Sequence, residues 1–205
     1  FPFASDGNAT DVGDLTRFQN SAAGQSSTTH GYSSGGGSTT IDKFPFSVDA
    51  NATDVGDLTR SPYGPAGQSS TTHGYTSGTG PNSALATIID KFSFSVDGNA
   101  TDVGDLTVGG YGSTGQSSTE SGYNAGRLGY PGNFASDVID KFPFSVDANA
   151  TDVGDLTATR NFGAGQSSTT NGYNSAGPPS SNVIEKFPFS TDANATDVGD
   201  LTQGR

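Results

Sequence analysis

The sequence contains no cysteine, no methionine and no tryptophan among its 205 residues. Without cysteine, the chain has no disulfide bonds, no thiolate zinc sites and no cysteine nucleophile. Hydrophobic residues make up 30% of the chain, well below the roughly 45–50% of an average globular domain. We therefore do not expect a helical bundle or a Rossmann-type α/β fold, because both need a thick apolar core.

Basic residues are also scarce. Lys and Arg number 9 against 21 Asp and Glu, so the formal net charge is −12. A chain of this charge has no basic face to neutralise phosphates, which argues against nucleic acid and anionic membranes as partners. No apolar run approaches the roughly 20 residues of a membrane-spanning helix, so we expect no membrane insertion.

The most prominent feature of the sequence is an internal repeat. The segment F-P-F-x-x-D-x-N-A-T-D-V-G-D-L-T is followed by a G-Q-S-S-T block and then by a Gly-Tyr pair. The first Phe of a copy and its Tyr are always 31 positions apart, as from Phe44 to Tyr75, whereas successive copies start 43 to 50 residues apart. The copies start at Phe1, Phe44, Phe92 (with Ser93 in place of Pro), Phe142 and Phe187. We treat residues 1–205 as one array of four full repeat pitches and a terminal half-repeat, excerpted from a longer chain.

A stretch of constant length indicates paired strands, because a slip in register would turn side chains to the wrong face. Within a repeat we predict strands at 42–49, 55–59 and 68–75, with Phe44, Phe46, Val48 and Leu58 packed between neighbouring sheets. All length variation falls after the Gly-Tyr pair, where Gly, Ser, Asn and Pro predict loops at 33–39, 76–86, 124–136 and 174–182. A junction of seven residues before G-Q has constant length but variable identity. The pattern predicts an all-β repeat protein of four-stranded antiparallel sheets, either a β-propeller with blades of about 43–50 residues or a β-solenoid or fibre.

The order of these motifs resembles the Kelch-type β-propeller repeat. The Gly-Tyr-x-x-Gly-Gly step at Tyr32 and Gly35-Gly36, a variable loop, the I-D-K-F-P-F strand and the G-D-L-T step follow one another as in that family. The likeness covers the whole chain and is closest to highly repetitive Kelch-like proteins of marine phage and environmental sequences. The sequence departs from the family in lacking Trp and in keeping the Gly pair in one copy only. The resemblance implies a propeller fold.

The half-repeats are unequal in number. Five copies run from F-P-F to D-L-T, but only four run from G-Q-S-S-T to Gly-Tyr. A closed ring needs equal numbers, and unpaired sheet edges recruit partners. We expect either end-to-end association with another copy or flanking repeats that complete the ring.

The D-A-N-A-T-D-V-G-D segment carries oxygen side chains at alternating positions, a spacing similar to that of calcium loops. We favour an Asx-type turn, in which Asp and Asn side chains satisfy the backbone amides of the loop; the alternative is a set of calcium sites. Further sets would start at Asp6 and Asp192. The candidate metal ligands are Asp49, Asn51, Thr53, Asp57, Asp97, Asn99, Thr101, Asp105, Asp147, Asn149, Thr151 and Asp155.

Each seven-residue junction contains one aromatic residue, which either covers the end of a thin core or contacts a ligand. These residues are Phe18, Tyr63, Tyr111 and Phe162. The N-A-T sequons, such as Asn51, are glycosylation sites only in a eukaryotic secretory pathway.

The sequence offers no catalytic constellation. His30 and His73 occupy a repeat position that holds Ser121 and Asn171 in the other copies, and no base accompanies the Ser/Thr blocks. We expect a non-enzymatic scaffold, extracellular or on a virion surface, that displays variable loops for adhesion to a glycan or cell-surface ligand. The alternative is a purely structural fibre or filament segment, with calcium as a possible stiffening ion and otherwise no cofactor.

Overall fold

The computed structural model describes residues 8–80, 86–129, 132, 134–178 and 181–204. It confirms the all-β prediction and the propeller: four antiparallel sheets form four blades of a β-propeller. In each blade the strands are adjacent in chain order, from the innermost strand outward. The described part of the chain contains no helix long and apolar enough to cross a membrane.

The blades have equivalent strand positions. Blade 1 consists of β1 (Ala22–Ser26), β2 (His30–Gly35), β3 (Thr40–Pro45) and β4 (Thr53–Asp57). Blade 2 consists of β5 (Ala66–Ser69), β6 (His73–Ser77), β7 (Ile88–Ser93) and β8 (Thr101–Asp105). Blade 3 consists of β10 (Thr114–Ser117), β11 (Ser121–Gly129), β12 (Phe134–Pro143) and β13 (Thr151–Arg160), with the short β9 (Gly110–Tyr111) paired to β11. Blade 4 consists of β14 (Ala164–Ser167), β15 (Asn171–Ser175), β16 (Val183–Pro188) and β17 (Thr196–Asp200).

The core consists of three similar clusters between successive blades. Between blades 1 and 2, Tyr32, Ile41 and Leu58 of blade 1 pack against Phe92 and Ala100 of blade 2, and all five are buried. We call the side of a blade that meets the next blade its trailing face, and the side that meets the previous blade its leading face. Each cluster thus joins the Tyr-Ile-Leu set of a trailing face to the Phe-Ala set of a leading face.

Two of the strand predictions need correction. The strand predicted at 68–75 is a hairpin, because β5 ends at Ser69 and β6 begins at His73 after a tight turn. The strand predicted at 42–49 ends at Pro45, so Phe46 and Val48 lie in the following turn with 56% and 61% of their surface exposed. The equivalent valines Val96 and Val146 are exposed as well, so the prediction that this position packs between sheets is wrong. Alternation stops here because the chain turns to deliver the Asn-Ala-Thr segment to the neighbouring blade.

The loop predicted at 124–136 is also partly wrong. β11 and β12 continue through most of this stretch and pair Arg127 with Ser136 and Leu128 with Ala135. A register shift between Ala125 and Arg127, with Gly126 at a φ of 57°, lets the strand continue past the point where the other copies turn. Insertion in this repeat therefore lengthens a hairpin.

Candidate functional site

The variable parts of the repeat come together at one end of the propeller. Each junction enters the innermost strand at the end where the antiparallel second strand leaves for its loop. We call this end the variable face; the short turn between these two strands lies at the opposite end. The variable face comprises the junctions 17–23, 60–66, 108–114 and 158–164 and the described residues of the loops 33–39, 76–86, 124–136 and 174–182.

Junctions and loops are held together by hydrogen bonds. The backbone amide of Gly37 donates to the carbonyl oxygen of Pro62 in the next blade at 2.9 Å. The amide of Tyr63 donates to Oγ1 of Thr79 at 3.3 Å. In blade 3 the contact becomes a strand pair, because β9 places Tyr111 opposite Leu128. The variable face is thus one continuous surface.

Three of the four junction aromatics form a row across blades 2 to 4. The ring centroids of Tyr63 and Tyr111 are 6.4 Å apart with planes at 57°, and those of Tyr111 and Phe162 are 5.7 Å apart at 76°. A backbone hydrogen bond of 2.8 Å from Gly112 to Gly64 holds neighbouring junctions side by side. Tilted and edge-on pairs at these distances are favourable aromatic geometries.

The aromatic row remains accessible. Tyr63 is 39% exposed and Phe162 is 49% exposed, and neither belongs to the inter-blade clusters. Phe18 does not join the row and is 90% exposed. This accessibility is compatible with ligand contact, and both roles stay predictions.

Beneath the variable face, each blade buries one carboxylate completely. Asp90 accepts hydrogen bonds from Thr59 and forms an ion pair with Arg60, whose Nη1 lies 2.9 Å from Asp90 Oδ2. Burial nevertheless raises the pKa of Asp90, because desolvation outweighs these partners. Burial likewise lowers the pKa of Arg60.

The cation that meets this carboxylate comes from a different sequence position in each blade. In blade 3 it is Arg127, from the extended hairpin; in blade 4 it is Arg160, two positions further along its junction than Arg60. In blade 1, Asp42 instead takes hydrogen bonds from Thr16 and Gln19. The residues of the variable face therefore change, while the buried carboxylate keeps polar partners in every blade: an arginine in blades 2 to 4, and Thr16 and Gln19 in blade 1.

The opposite end of the propeller is constant in sequence. The four Ser-Ser-Thr turns line one open depression of about 570 Å³ around the axis. The second serine of each turn forms hydrogen bonds within that turn. Ser27 Oγ, for example, accepts from the amide of His30 and donates to the carbonyl of His30. The lining residues are Ser26, Ser27, Thr28, Ser69, Ser70, Thr71, Ser117, Ser118, Thr119, Ser167, Ser168 and Thr169.

The predicted calcium ligands lie where successive blades meet at the outer rim. Asn99 Oδ1 accepts from the amide of Asp57 in the previous blade at 3.0 Å, and the amide of Ala100 donates to the carbonyl of Asp57 at 2.8 Å. The same pairing joins Asn51 to Asp14 at 3.0 Å and Asn149 to Asp105 at 3.1 Å. The Asn side chain of each set thus acts between blades.

The carboxylates of these sets also have protein partners. Lys43 pairs with Asp97 of the next blade at 2.8 Å, and Lys91 pairs with Asp147 in the same way. Asp57 accepts from Thr39 and Asp105 accepts from Thr87, at 2.6 and 2.7 Å.

The threonines of the sets differ in their contacts. Thr53 Oγ1 faces the carbonyl of Lys43 at 3.5 Å, while Thr101 and Thr151 begin β8 and β13. Of the remaining members, Asp49 is exposed and Asp155 is half-buried. Asp6, which starts the first set, lies outside the described residues.

An Asx turn is present within the same segment. Oδ1 of Asp54 accepts from the amide of Gly56 two residues on, and Asp102 and Asp152 do the same for their glycines. Among the described residues, no group of three or more His, Cys, Asp or Glu side chains could hold a metal ion. Calcium binding, which would also draw on Asn and Thr, stays a prediction.

Sequence reasoning missed the glutamine of the G-Q-S-S-T block. Gln25 Nε2 donates to the carbonyl of Tyr75 in the next blade at 2.9 Å, and Gln68 donates to Tyr123 in the same way. Both glutamines are buried. The signal was the presence of this Gln in all four copies.

Comparison with known proteins supports the fold alone. The solved structure described as "Structure of YjhT", a propeller-type fold, matches 94% of this chain and 70% of its own chain with a TM-score of 0.77 and 10% sequence identity. No protein-family model and no curated protein matches the sequence. The chain is therefore defined as a β-propeller by its architecture.

Proposed function

We propose that this protein is a non-enzymatic recognition scaffold that binds a glycan or another cell-surface ligand through its variable face. One observation carries the proposal. The sequence differences between repeats gather at one end of the propeller, around an accessible aromatic row, whereas the inter-blade contacts repeat from blade to blade. Loops on a rigid framework are the usual place for binding residues.

The chemistry of the aromatic row suits a sugar ligand. Exposed rings offer flat apolar area, and the tyrosine hydroxyls add hydrogen-bonding groups at their rim. Exposed hydroxyl and amide side chains lie in the same set of junctions, including Asn20 and Ser61. The high net negative charge disfavours acidic ligands and favours neutral polyhydroxylated ones.

The lack of catalysis belongs to the same proposal. The hydroxyls of Ser27 and Ser70 are engaged in their own turns, and their nearest imidazoles, His30 and His73, bond the neighbouring threonines. No nucleophile and base pair recurs with the blades. The resemblance of the repeat to Kelch-like repeats of phage and environmental sequences supports a site of action outside the cell or on a virion.

The proposal is tested by passing the chain over immobilised neutral polysaccharides and measuring retention. We expect retention of the wild type and clear weakening in Tyr63→Ala and Tyr111→Ala. Val146→Ala is the matched control, because Val146 is 59% exposed but belongs to the rim turn after β12. Equal retention of all variants, or no retention on any polysaccharide, would refute glycan binding by this face.

A second candidate function is a structural fibre. The observation that favours it is the exposure of the two outermost blade faces, where Gln166 of blade 4 and Phe46 of blade 1 are exposed. Filaments seen by electron microscopy together with no retention on polysaccharides would favour the fibre over recognition.

A further inference from the structure

The three internal blade interfaces use the same contacts each time. A tyrosine of the trailing face stacks on a phenylalanine of the leading face, as Tyr32 does on Phe94 with ring centroids 4.8 Å apart. The pairs Tyr75 with Phe144 and Tyr123 with Phe189 have the same separation. A blade therefore carries a complete half-interface on each side.

Polar contacts repeat with the same regularity. A buried Gln reaches the Tyr carbonyl of the next blade, as described above, and a Lys of the trailing face pairs with an Asp of the leading face. The amide of Ser69 donates to Ser117 Oγ at 3.0 Å, as the amide of Ser26 does to Ser69 Oγ. Together these contacts specify which face fits which.

The trailing face of blade 4 presents this set without a covering blade. Gln166 is exposed, whereas the equivalent Gln116 is 1% exposed. Ile184 and Tyr173 are half-buried, whereas the equivalent Ile139 is completely buried.

The leading face of blade 1 presents the complementary set. Phe46 is 56% exposed, and Phe44 is less buried than the equivalent Phe92. An apolar groove of about 250 Å³ lies on this face, between Phe44 and Ala52 of blade 1 and Leu15 of the segment 8–16. In the internal interface the equivalent Phe92 and Ala100 pack against Tyr32, Ile41 and Leu58 of the preceding blade. Leu15 thus stands where the leucine of a preceding blade would lie.

The glycine of the G-Q-S-S-T block also shows which blade faces are covered, because a preceding blade leaves no room for a Cβ there. A Cβ on Gly67 would collide with the carbonyl oxygen of Gly24, and Gly115 and Gly165 are blocked by the preceding glycine in the same way. A Cβ on Gly24 would meet no atom within 4 Å. The position is closed wherever a blade precedes it and open only in blade 1.

We propose that the trailing face of blade 4 binds the leading face of blade 1 in a second copy of this chain. Tyr173 and Ile184 then pack against Phe44 and Ala52 of the second copy, and Leu201 takes the place of Leu15. Gln166 reaches the carbonyl of Tyr32, and Lys186 pairs with Asp49, as in the internal interfaces. The two patches differ, so the contact is heterologous and can continue from copy to copy.

Docking has a consequence for the segment 8–16. In this segment the amide of Asp14 donates to Asn51 Oδ1 and the hydroxyl of Thr16 donates to Asp42. Asp200 and Thr202 of an incoming blade 4 would make these two hydrogen bonds instead. The segment forms no strand in a sheet, whereas β17 is paired with β16. The incoming β17 therefore displaces the segment 8–16.

The test is the mass of the 205-residue chain in solution over about a hundredfold range of concentration, by sedimentation velocity, since association follows mass action. We expect the wild type to grow in mass with concentration and Gly24→Ala to remain a monomer with an unchanged melting temperature. Gly98→Ala is the matched control, because its Cβ also meets open space and Ala stands at this position in the neighbouring copies. A monomeric wild type at every concentration, or Gly24→Ala that associates like the wild type, would overturn the proposal.

Hydrogen exchange gives a second readout. Amides of residues 8–16 should exchange faster in the associated state, while those of β14 and β15 should exchange more slowly. Association with unchanged exchange in both places would show a different contact and refute the one proposed here. Neither outcome depends on polysaccharide binding, so the two proposals are tested separately.

Discussion

Arg127 donates from Nη1 to Oδ2 of Asp140 at 2.7 Å, and both side chains are completely buried. The guanidinium also donates to the backbone carbonyls of Val108, Asn124 and Val138. A buried ion pair loses the hydration of both partners, so its contribution depends on such additional hydrogen bonds. The extended hairpin of blade 3 is thus tied to the carboxylate that every blade buries.

Removing one partner of this pair should be costly. Arg127→Ala leaves the buried Asp140 carboxylate without its ion-pair partner, and we expect the free energy of unfolding to fall by about 3–5 kcal/mol. Urea denaturation measures the change. Arg17→Ala is the control and should cost less than about 1 kcal/mol, because Arg17 is exposed and reaches Ser38 rather than a carboxylate. Equal losses in both variants would contradict the importance assigned to the buried pair.

The inter-blade cores predict a graded response to truncation. Phe142 is 2% exposed, so Phe142→Ala should cost about 3–5 kcal/mol, whereas the half-buried Phe144 should cost less. Val146→Ala should stay within about 0.5 kcal/mol, because that side chain is 59% exposed. Thermal or urea unfolding of the three variants checks the order. A large loss of unfolding free energy in Val146→Ala would instead support the sequence-based prediction that this position is in the core.

Tyr75 predicts loss of stability in alkaline solution. Burial raises the pKa of its hydroxyl from 10.0 to about 12. The unfolded chain therefore loses this proton first, and the stabilisation is complete below pH 10 and lost as the pH rises from 10 to about 12. We expect the melting temperature to fall across this window.

The variant Tyr75→Phe isolates the effect, because phenylalanine has no proton to lose. Its melting temperature should fall less steeply than that of the wild type between the same pH limits. A residual fall remains, since burial also raises the pKa of Tyr32 and Tyr123. Identical slopes for variant and wild type would exclude Tyr75 as a source of the alkaline transition.

The rim sets predict little response to calcium. Asn99 and Asp97 already bond to the previous blade. Asp192 is engaged in the same way, because its hydrogen bond with Lys141 raises the pKa of that lysine. We expect melting in millimolar calcium to match melting in magnesium at equal ionic strength. A calcium-specific rise of several degrees, reversed by a chelator, would instead establish the predicted cage, since binding to the folded state alone raises stability.

The sequence by itself was sufficient for the repeat and for the approximate place of its strands, although it merged β5 and β6 into one strand. The constant 31 positions from Phe44 to Tyr75 run from β3 of one blade to β6 of the next, and the structure repeats the same strand order in all four sheets. The place of the variable loops followed from the same arithmetic. These features are local or periodic, so they are visible without knowledge of distant contacts.

The tertiary structure decided which residues meet between blades. Asn99 and Asp57 lie 42 positions apart and Gln25 and Tyr75 lie 50 apart, and each pair touches only because successive blades stack around one axis. Phe94 is half-buried whereas Phe46, at the same repeat position, is exposed because no complete blade precedes it. Burial at such a position depends on the neighbouring blade, which the local sequence does not contain.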